Sequence, residues 1–138
     1  MVFIIDEGSV FKAPLNKVWE LMQSEGKHNH PSEINPRMAM DGDHPVLTFD
    51  VKMPDGRQVT NKIKLTLMPP VGVSLDYLEG PFAGSKSVQY YVPKGNETGV
   101  TVIGDYNSPW MSGDQLKGAV LMSLETAFNE DQENLKKL

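Results

Sequence analysis

Three tyrosines are the residues of this chain best suited to contacting a bound small molecule. Tyr77, Tyr90 and Tyr106 each share the alternation of the apolar residues in a predicted strand, so their phenols should point where those residues point. A buried phenol generally finds a hydrogen-bond partner, and a few polar groups in an apolar pocket fix a ligand's orientation. The pattern predicts three polar contacts in a mostly apolar pocket. The alternative for each tyrosine is the margin of a sheet, with the hydroxyl in water.

Two carboxylates could act as a general acid or base. Glu7 shares the alternation of Ile5 and Phe11, and Glu79 continues that of Tyr77. A carboxyl group drawn into an apolar cavity is held protonated more readily, which suits it to proton transfer. Charged residues are rarely buried without a partner, so exposure on the strand is the favoured interpretation of both glutamates.

A cluster of histidines lies in residues 27–33, with a further histidine at His44. Two imidazoles and a carboxylate, here His28, His30 and Glu33, are suitable zinc ligands, and a catalytic zinc site needs three protein ligands and an open position. Their spacing does not match the His-Glu-x-x-His helix, and the chain has no cysteine for a thiolate set. The favoured interpretation is a polar loop over the first helix, with no metal and no cofactor.

The hydrophobic pattern predicts the elements that position these side chains. Residues Val2–Phe11 form a strand, and Pro14 begins a helix that carries an apolar stripe and ends near Gly26. A short helix is possible at 31–34 and a short strand at 37–41. Five alternating runs separated by Gly- or Pro-bearing turns then predict antiparallel strands at 46–53, 58–68, 73–79, 85–92 and 100–107.

The first hairpin of this series fixes which side chains share a face. Phe49 and its alternating neighbours must lie on the face of Ile63, so odd residues pair with odd residues. A three-residue loop, Pro54-Asp55-Gly56, keeps the two apolar faces together, whereas a two-residue loop would not. The opposite face is predicted to be solvated and carries three lysines, Lys52, Lys62 and Lys64.

The last element is a long amphipathic helix. Ser112 and Gln115 have capping-box spacing, and apolar residues then recur every three or four positions through Leu124 and Phe128. A helix over residues 113–137 is about 37 Å long, and a sheet of six or seven strands is about 25–30 Å across, so the helix can cross it. The predicted fold class is α+β, a curved antiparallel sheet wrapped around the long C-terminal helix.

In this order of elements the chain resembles the START-like, or SRPBCC, superfamily, which has the helix-grip fold. The resemblance rests on the first strand leading into the residues from Phe11 to Met22, on the antiparallel strands and on the terminal helix. It implies a single START-like domain over residues 1–138 and a cavity between the sheet and the terminal helix that holds hydrophobic small molecules. Members of the superfamily include lipid and hormone carriers, aromatases and cyclases, quinone-chaperoning proteins and activators of a chaperone ATPase. The fold does not choose among these functions.

The resemblance and the alternation together predict the residues that face such a cavity. The expected ligand contacts are Tyr77, Tyr90, Tyr106, Phe49, Ile63, Leu75, Val102, Leu116, Val120 and Leu124. Aromatic and apolar residues beside Pro and Gly are expected at the cavity mouth, namely Phe82, Trp110 and Met111. The alternative for Trp110 and Met111 is packing against the start of the terminal helix.

Composition narrows the classes of function. The 138 residues are 39% hydrophobic, include no cysteine and carry a net charge of -5, which fits one soluble cytoplasmic domain and disfavours nucleic-acid binding. No apolar run is long enough to span a membrane, and no glycine-rich phosphate loop or Gly-x-Ser-x-Gly elbow is present. An edge strand, or the apolar residues expected at the cavity mouth, could support a homodimer.

Three functions therefore remain open. The leading hypothesis is binding or transport of a hydrophobic small molecule, such as a lipid, an isoprenoid or an aromatic metabolite. The second is an enzyme of the aromatase and cyclase type that uses Glu7 or Glu79 with a tyrosine. The third is a protein-interaction module like the chaperone-ATPase activators.

Overall fold

A computed structural model describes residues 1–24 and 28–138, and within them the chain forms seven strands and two helices. In chain order these are β1 (Val2–Phe11), α1 (Leu15–Met22), β2 (Ile34–Asp41), β3 (His44–Lys52), β4 (Gln58–Met68), β5 (Gly72–Glu79), β6 (Lys86–Lys94), β7 (Glu97–Tyr106) and α2 (Gly113–Leu135). The strands form one antiparallel sheet in the order β1-β7-β6-β5-β4-β3-β2. The predicted α+β architecture is confirmed. Neither helix is both long and apolar enough to cross a membrane.

The region between α1 and β3 differs from its prediction. Residues 31–34 do not form a helix, because the chain enters strand β2 at Ile34 and pairs with β3, where Met38 lies opposite Leu47. The predicted end of the first helix at Gly26 lies outside the described residues. At the start of α2 the predicted capping box does not form, since the side chain of its N-terminal residue Ser112 makes no capping hydrogen bond.

The hairpin of β3 and β4 has the predicted register. Val51 lies opposite Val59 and Leu47 opposite Ile63. The Met53 N–H donates to the carbonyl of Arg57 at 2.7 Å, which closes the three-residue loop. Within that loop Gly56 has a φ of 89°, a left-handed conformation that side chains disfavour. The predicted three-residue loop Pro54-Asp55-Gly56 is therefore confirmed.

The face predicted for β6 is wrong. Val88, Tyr90 and Val92 were expected to point inward, but Tyr90 is 37% and Val92 49% exposed, whereas Tyr91 is 4% exposed. The register explains the reversal, because Gln89 lies opposite Val73 of β5. The inner face of β6 is thus polar apart from Tyr91, and the outer face carries the apolar alternation.

The alternation of β1 is also interrupted. Its register against β7 shifts between Asp6 and Ser9, where Gly8 has a φ of 93°. Before this bulge the inward residue is Ile4, with 3% exposure, and after it the inward residue is Phe11. Glu7 is consequently exposed on the outer face, together with Phe3 and Ile5.

Helix α2 contributes residues to two core clusters. The larger cluster joins α1, the sheet and the end of α2, with Phe11 stacked on Phe128 at 4.7 Å between ring centroids. The smaller cluster consists of Ile4, Tyr106, Leu116 and Val120. Leu124 packs against both clusters.

Polar contacts hold the C-terminal half of α2. Gln132 accepts a hydrogen bond from the Lys12 backbone N–H at 3.1 Å and donates one to the carbonyl of Val10 at 2.9 Å, which joins the helix to the end of β1. Asn134 donates to the carbonyl of Asn29 at 2.7 Å. These bonds bring the segment that follows α1 onto the helix.

Candidate functional site

A cavity of about 450 Å³ lies between the inner face of the sheet and α2. Its apolar walls come from β1, β7 and α2 and consist of Phe11, Val100, Val102, Leu121, Leu124, Ala127 and Phe128. Of the residues predicted to contact a ligand, Val102 and Leu124 line this cavity. A pocket of this volume is large enough for a small molecule, but it is partly open to solvent, and six of its thirteen lining residues are polar.

Polar side chains also line the cavity, and most of them are hydrogen-bond acceptors. They are Asp6 and Ser9 of β1, Gln89 of β6, and Glu125, Asn129 and Asp131 of α2. The Tyr91 hydroxyl donates to Gln89 Oε1 at 3.3 Å, and burial raises the pKa of Tyr91. The cavity can therefore bind an apolar molecule and still accept hydrogen bonds from hydroxyl groups on it. Gln89 and Tyr91 were missed because the wrong face of β6 was chosen.

Two of the three predicted tyrosines come together, although neither lines this cavity. The rings of Tyr77, Phe82 and Tyr106 lie 6.0–6.2 Å apart between centroids. Burial raises the pKa of both Tyr77 and Tyr106. Within the described part of the chain, Tyr106 Oη and Ser87 Oγ are buried and form no hydrogen bond of good geometry, although the hydroxyls of Tyr77, Ser87 and Tyr106 lie close enough to affect one another. A buried hydroxyl without a partner is costly, so a polar group of a ligand or a water would lower the energy of this position.

The remaining predicted residues occupy several places. Leu116 and Val120 are buried in the smaller core cluster, and Leu75 packs against the larger one. Ile63 is buried on β4 and Phe49 is partly buried on β3. Tyr90 lies on the outer face.

The residues expected at the mouth divide between the core and the surface. Phe82 and Met111 pack against the smaller core cluster. Trp110 is 47% exposed, with the Arg57 guanidinium carbon 5.6 Å from its ring centroid. Glu79 is exposed at the end of β5.

A second candidate site forms where the segment after α1 meets the end of α2. The Nε2 atom of His28 lies 2.8 Å from Asp131 Oδ1, and the Nε2 atom of His30 lies 3.0 Å from the same oxygen. The two Nε2 atoms are 2.9 Å apart. Both histidines were candidate ligands in the sequence, where the favoured interpretation was a polar loop, and Asp131 was not among the candidates. Three ligand atoms of the kinds that bind metal ions thus converge on α2.

Carboxylates surround this group of imidazoles. His30 Nδ1 lies 2.8 Å from Glu130 Oε1, and Glu130 also accepts hydrogen bonds from the backbone N–H and the hydroxyl of Ser32. Although burial opposes it, contact with Asp131 and Glu130 raises the pKa of His30 to about 9. Burial also opposes ionisation of Asp131, but the two imidazoles hold its pKa below the ordinary value. Burial raises the pKa of the nearby Glu33.

The signal that could have identified Asp131 lies in the apolar stripe of α2. Asp131 follows Phe128 by three residues and precedes Leu135 by four, so it occupies an inward position of the helix. It is 8% exposed. A carboxylate at such a position needs a partner, and the histidines supply it.

Comparison with known proteins identifies the fold and gives no function. No protein-family model and no curated protein matches the sequence. TTHA0849 of Thermus thermophilus is 16% identical with a TM-score of 0.77, over 99% of this chain and 98% of that one. The Zhui aromatase/cyclase of Streptomyces sp. R1128 is 14% identical with a TM-score of 0.71, over 97% of this chain and 92% of that one. Ara h 8.0201 is 9% identical with a TM-score of 0.75, and 99% of each chain is covered.

These similarities extend over nearly the whole chain, including the seven-stranded sheet and the long terminal helix. At sequence identities of 9–16%, these similarities show that the folds are shared and do not show that the proteins bind or react with the same molecules. The chain has the helix-grip fold that the sequence predicts.

Proposed function

We propose that the protein binds a hydrophobic small molecule between its sheet and helix α2. The observation that carries this proposal is the cavity of about 450 Å³, whose opposing walls include Val102 of the sheet and Leu124 and Phe128 of the helix. An apolar molecule that enters it leaves water, which contributes about 25 cal/mol for each Å² of apolar surface removed from solvent.

The polar lining narrows the proposed ligand further. Gln89 offers an amide oxygen, and Asp6 and Asp131 offer carboxylates, so the polar side of the cavity consists mainly of acceptors. A molecule with an apolar body and one or more hydroxyl groups complements this lining. A hydroxylated aromatic metabolite or an isoprenoid alcohol fits this description better than a molecule with a carboxylate.

The aromatase and cyclase alternative depended on an inward Glu7 or Glu79. Both side chains are exposed, on β1 and at the end of β5, so neither supplies an acid or base to the cavity. The likeness to the Zhui aromatase/cyclase supports a binding cavity through the shared fold. Ligand binding is therefore the function we propose, in one START-like domain of residues 1–138.

Two adjacent residues of α2 provide a matched test. Leu121 lines the cavity, whereas Met122 is 70% exposed. We expect Leu121→Trp to fill the cavity and weaken binding of a neutral fluorescent apolar probe, such as N-phenyl-1-naphthylamine, at least tenfold. Met122→Trp adds the same ring on the solvent side and should leave the affinity unchanged. Equal probe binding by both variants, or no binding by the natural protein, would contradict the proposal.

Native mass spectrometry and organic extraction of the purified protein then identify the ligand class. A co-purified hydroxylated apolar molecule supports the proposal. An extract that contains only a carboxylic acid would contradict the proposed hydroxylated ligand, although it would still support a small-molecule binding site.

The tyrosine pair gives a separate prediction. Tyr106→Phe removes a buried hydroxyl that lacks a partner in the described chain, so the free energy of unfolding should be unchanged or rise by about 1 kcal/mol. If the hydroxyl contacts a ligand, affinity for the extracted ligand falls in the same variant. Chemical denaturation and ligand titration measure the two effects. A loss of stability beyond about 1 kcal/mol would show that the hydroxyl is already satisfied within the folded protein.

A further inference from the structure

We propose that His28, His30 and Asp131 form a binding site for a divalent transition-metal ion, with Glu130 as the outer partner of His30.

The three ligand atoms have the spacing that one cation requires. The distances among His28 Nε2, His30 Nε2 and Asp131 Oδ1 are 2.8, 2.9 and 3.0 Å. An ion about 2.1 Å from each atom would lie about 1.3 Å out of their plane, with angles of about 90° between the three bonds. This is the geometry of three ligands on one face of an octahedron, which leaves the opposite face for water or another ligand. A tetrahedral ion would need these atoms to lie about 0.5 Å farther from one another.

The outer partners fix one imidazole in the form that binds metal. An ionised carboxylate only accepts hydrogen bonds, so the 2.8 Å contact between His30 Nδ1 and Glu130 Oε1 places a proton on Nδ1. The other nitrogen, Nε2, faces Asp131, and its lone pair becomes available to a metal ion that displaces the second proton of this ring. Glu130 is itself held by Ser32, through both its backbone N–H and its hydroxyl. Ligating histidines in metal sites commonly donate their second ring N–H to a carboxylate in this way.

Hydrogen bonds alone satisfy the three converging atoms less well than a bound metal ion would. Only one proton can lie between the two Nε2 atoms at 2.9 Å, while both nitrogens also contact a single oxygen, Asp131 Oδ1. A divalent cation would instead accept all three lone pairs at once and neutralise the carboxylate. Two imidazoles and a carboxylate favour zinc and its neighbours in the first transition row over Mg²⁺ or Ca²⁺, which prefer oxygen ligands.

The site adjoins the cavity through a shared residue. Asp131 belongs both to the convergent group and to the lining of the 450 Å³ cavity. Metal binding does not depend on the proposed apolar ligand, so the two ideas can fail separately.

The chain provides a matched control for a binding experiment. His44 is its third histidine, and its Nδ1 lies 3.1 Å from Thr66 Oγ1, away from the proposed site. Untagged full-length protein is treated with chelator, dialysed and titrated with Zn²⁺ by calorimetry and with Co²⁺ by visible absorption, in the absence of apolar probe. We expect one equivalent of either ion to bind the natural protein and His44→Gln equally well.

Variants of the site should separate a metal centre from a structural ion pair. His28→Gln and Glu130→Gln are expected to weaken Zn²⁺ binding by about 10- to 100-fold, because one removes a ligand and the other the partner of a ligand. Asp131→Asn, tested with a circular dichroism check of folding, should do the same and should lose the Co²⁺ absorption bands. No stoichiometric uptake by the natural protein would overturn the proposal. So would uptake that His44→Gln abolishes and His28→Gln retains.

Probe binding measured with and without chelator keeps this result apart from the proposed function. If the natural protein binds the probe but takes up no Zn²⁺, the metal site is refuted and the ligand cavity is not. Stoichiometric Zn²⁺ uptake by protein that binds no apolar probe would support the metal site and contradict the ligand cavity.

Discussion

Gly104→Val is expected to lower the free energy of unfolding by about 3 kcal/mol, at the upper end of what overpacking a core usually costs. A Cβ atom at residue 104 would overlap the ring of Tyr106 and would lie 2.9 Å from the Cβ of Ser87. Tyr106 is 1% exposed and cannot move aside without opening the smaller core cluster. Urea denaturation followed by circular dichroism measures the change.

Gly118→Ala is the matched control for this substitution. Gly118 lies in α2, and a Cβ there has no neighbour within 4 Å. Because alanine favours a helix over glycine, this variant should gain about 0.5–1 kcal/mol. A loss of less than about 0.5 kcal/mol in Gly104→Val would mean that the Tyr106 ring has room that the structure does not show.

The second large effect is expected for Asp131→Ala in metal-free protein, with a loss of about 3 kcal/mol. Removing one member of a buried ionic group leaves its partners without compensation. The side chain of Asp131 is 11% exposed and that of His30 14%, so water replaces the carboxylate poorly. His28 and His30 would then face each other at 2.9 Å with no anion between them. Denaturation in the presence of a chelator measures this loss.

Glu133→Ala provides the comparison on the same helix. Glu133 pairs with Lys136 at 2.8 Å, but both side chains are well exposed, and such surface pairs contribute little. We expect its denaturation curve to overlay that of the natural protein. If Asp131→Ala also overlays it, the contacts of the histidine group add nothing to stability and the carboxylate is replaceable by solvent.

The fold was predictable because two independent signals agreed. In the β3–β4 hairpin the apolar faces required odd residues to pair with odd residues, and Pro54-Asp55-Gly56 is a loop length that delivers that pairing. The long apolar stripe of α2 then required a sheet to cover. On β6 the prediction rested on hydrophobicity without the turn length, and it assigned the side chains to the wrong face.

That second signal was present at the β6–β7 turn. Lys94 lies opposite Glu97, so the loop has two residues, one of them Gly95. A two-residue loop pairs odd residues with even ones, which places Tyr91 opposite Val100 and turns it inward. Hydrophobicity alone predicts that Tyr90 points inward, because the outer face of this strand is the more apolar one. On β1, Gly8 marked the bulge that lets Phe11 point inward although Glu7, two alternations earlier, points outward with Ile5, but a single glycine does not distinguish a bulge from a regular strand.

The candidate sites were less predictable than the fold because they depend on distant pairs. His28 and Asp131 are separated by 103 positions in the chain, and only the docking of α2 brings their atoms to 2.8 Å. The wall of the cavity likewise combines Gln89 with Leu121, on elements whose relative placement no local pattern specifies. Sequence identified the histidines and part of the apolar lining, whereas the third ligand and the polar lining required the tertiary structure.

The distribution of polar contacts along α2 has a consequence for how the cavity can be reached. Within the described residues, the side-chain hydrogen bonds between this helix and the rest of the chain come from Glu130, Asp131, Gln132 and Asn134. The N-terminal half is held by apolar packing around Leu116 and Val120. Apolar contacts are not directional, and they re-form over a range of positions, whereas hydrogen bonds break abruptly. A molecule that reached the cavity by displacing the N-terminal half would therefore break apolar contacts of Leu116 and Val120 but no side-chain hydrogen bond, whereas displacing the C-terminal half would break both kinds of contact.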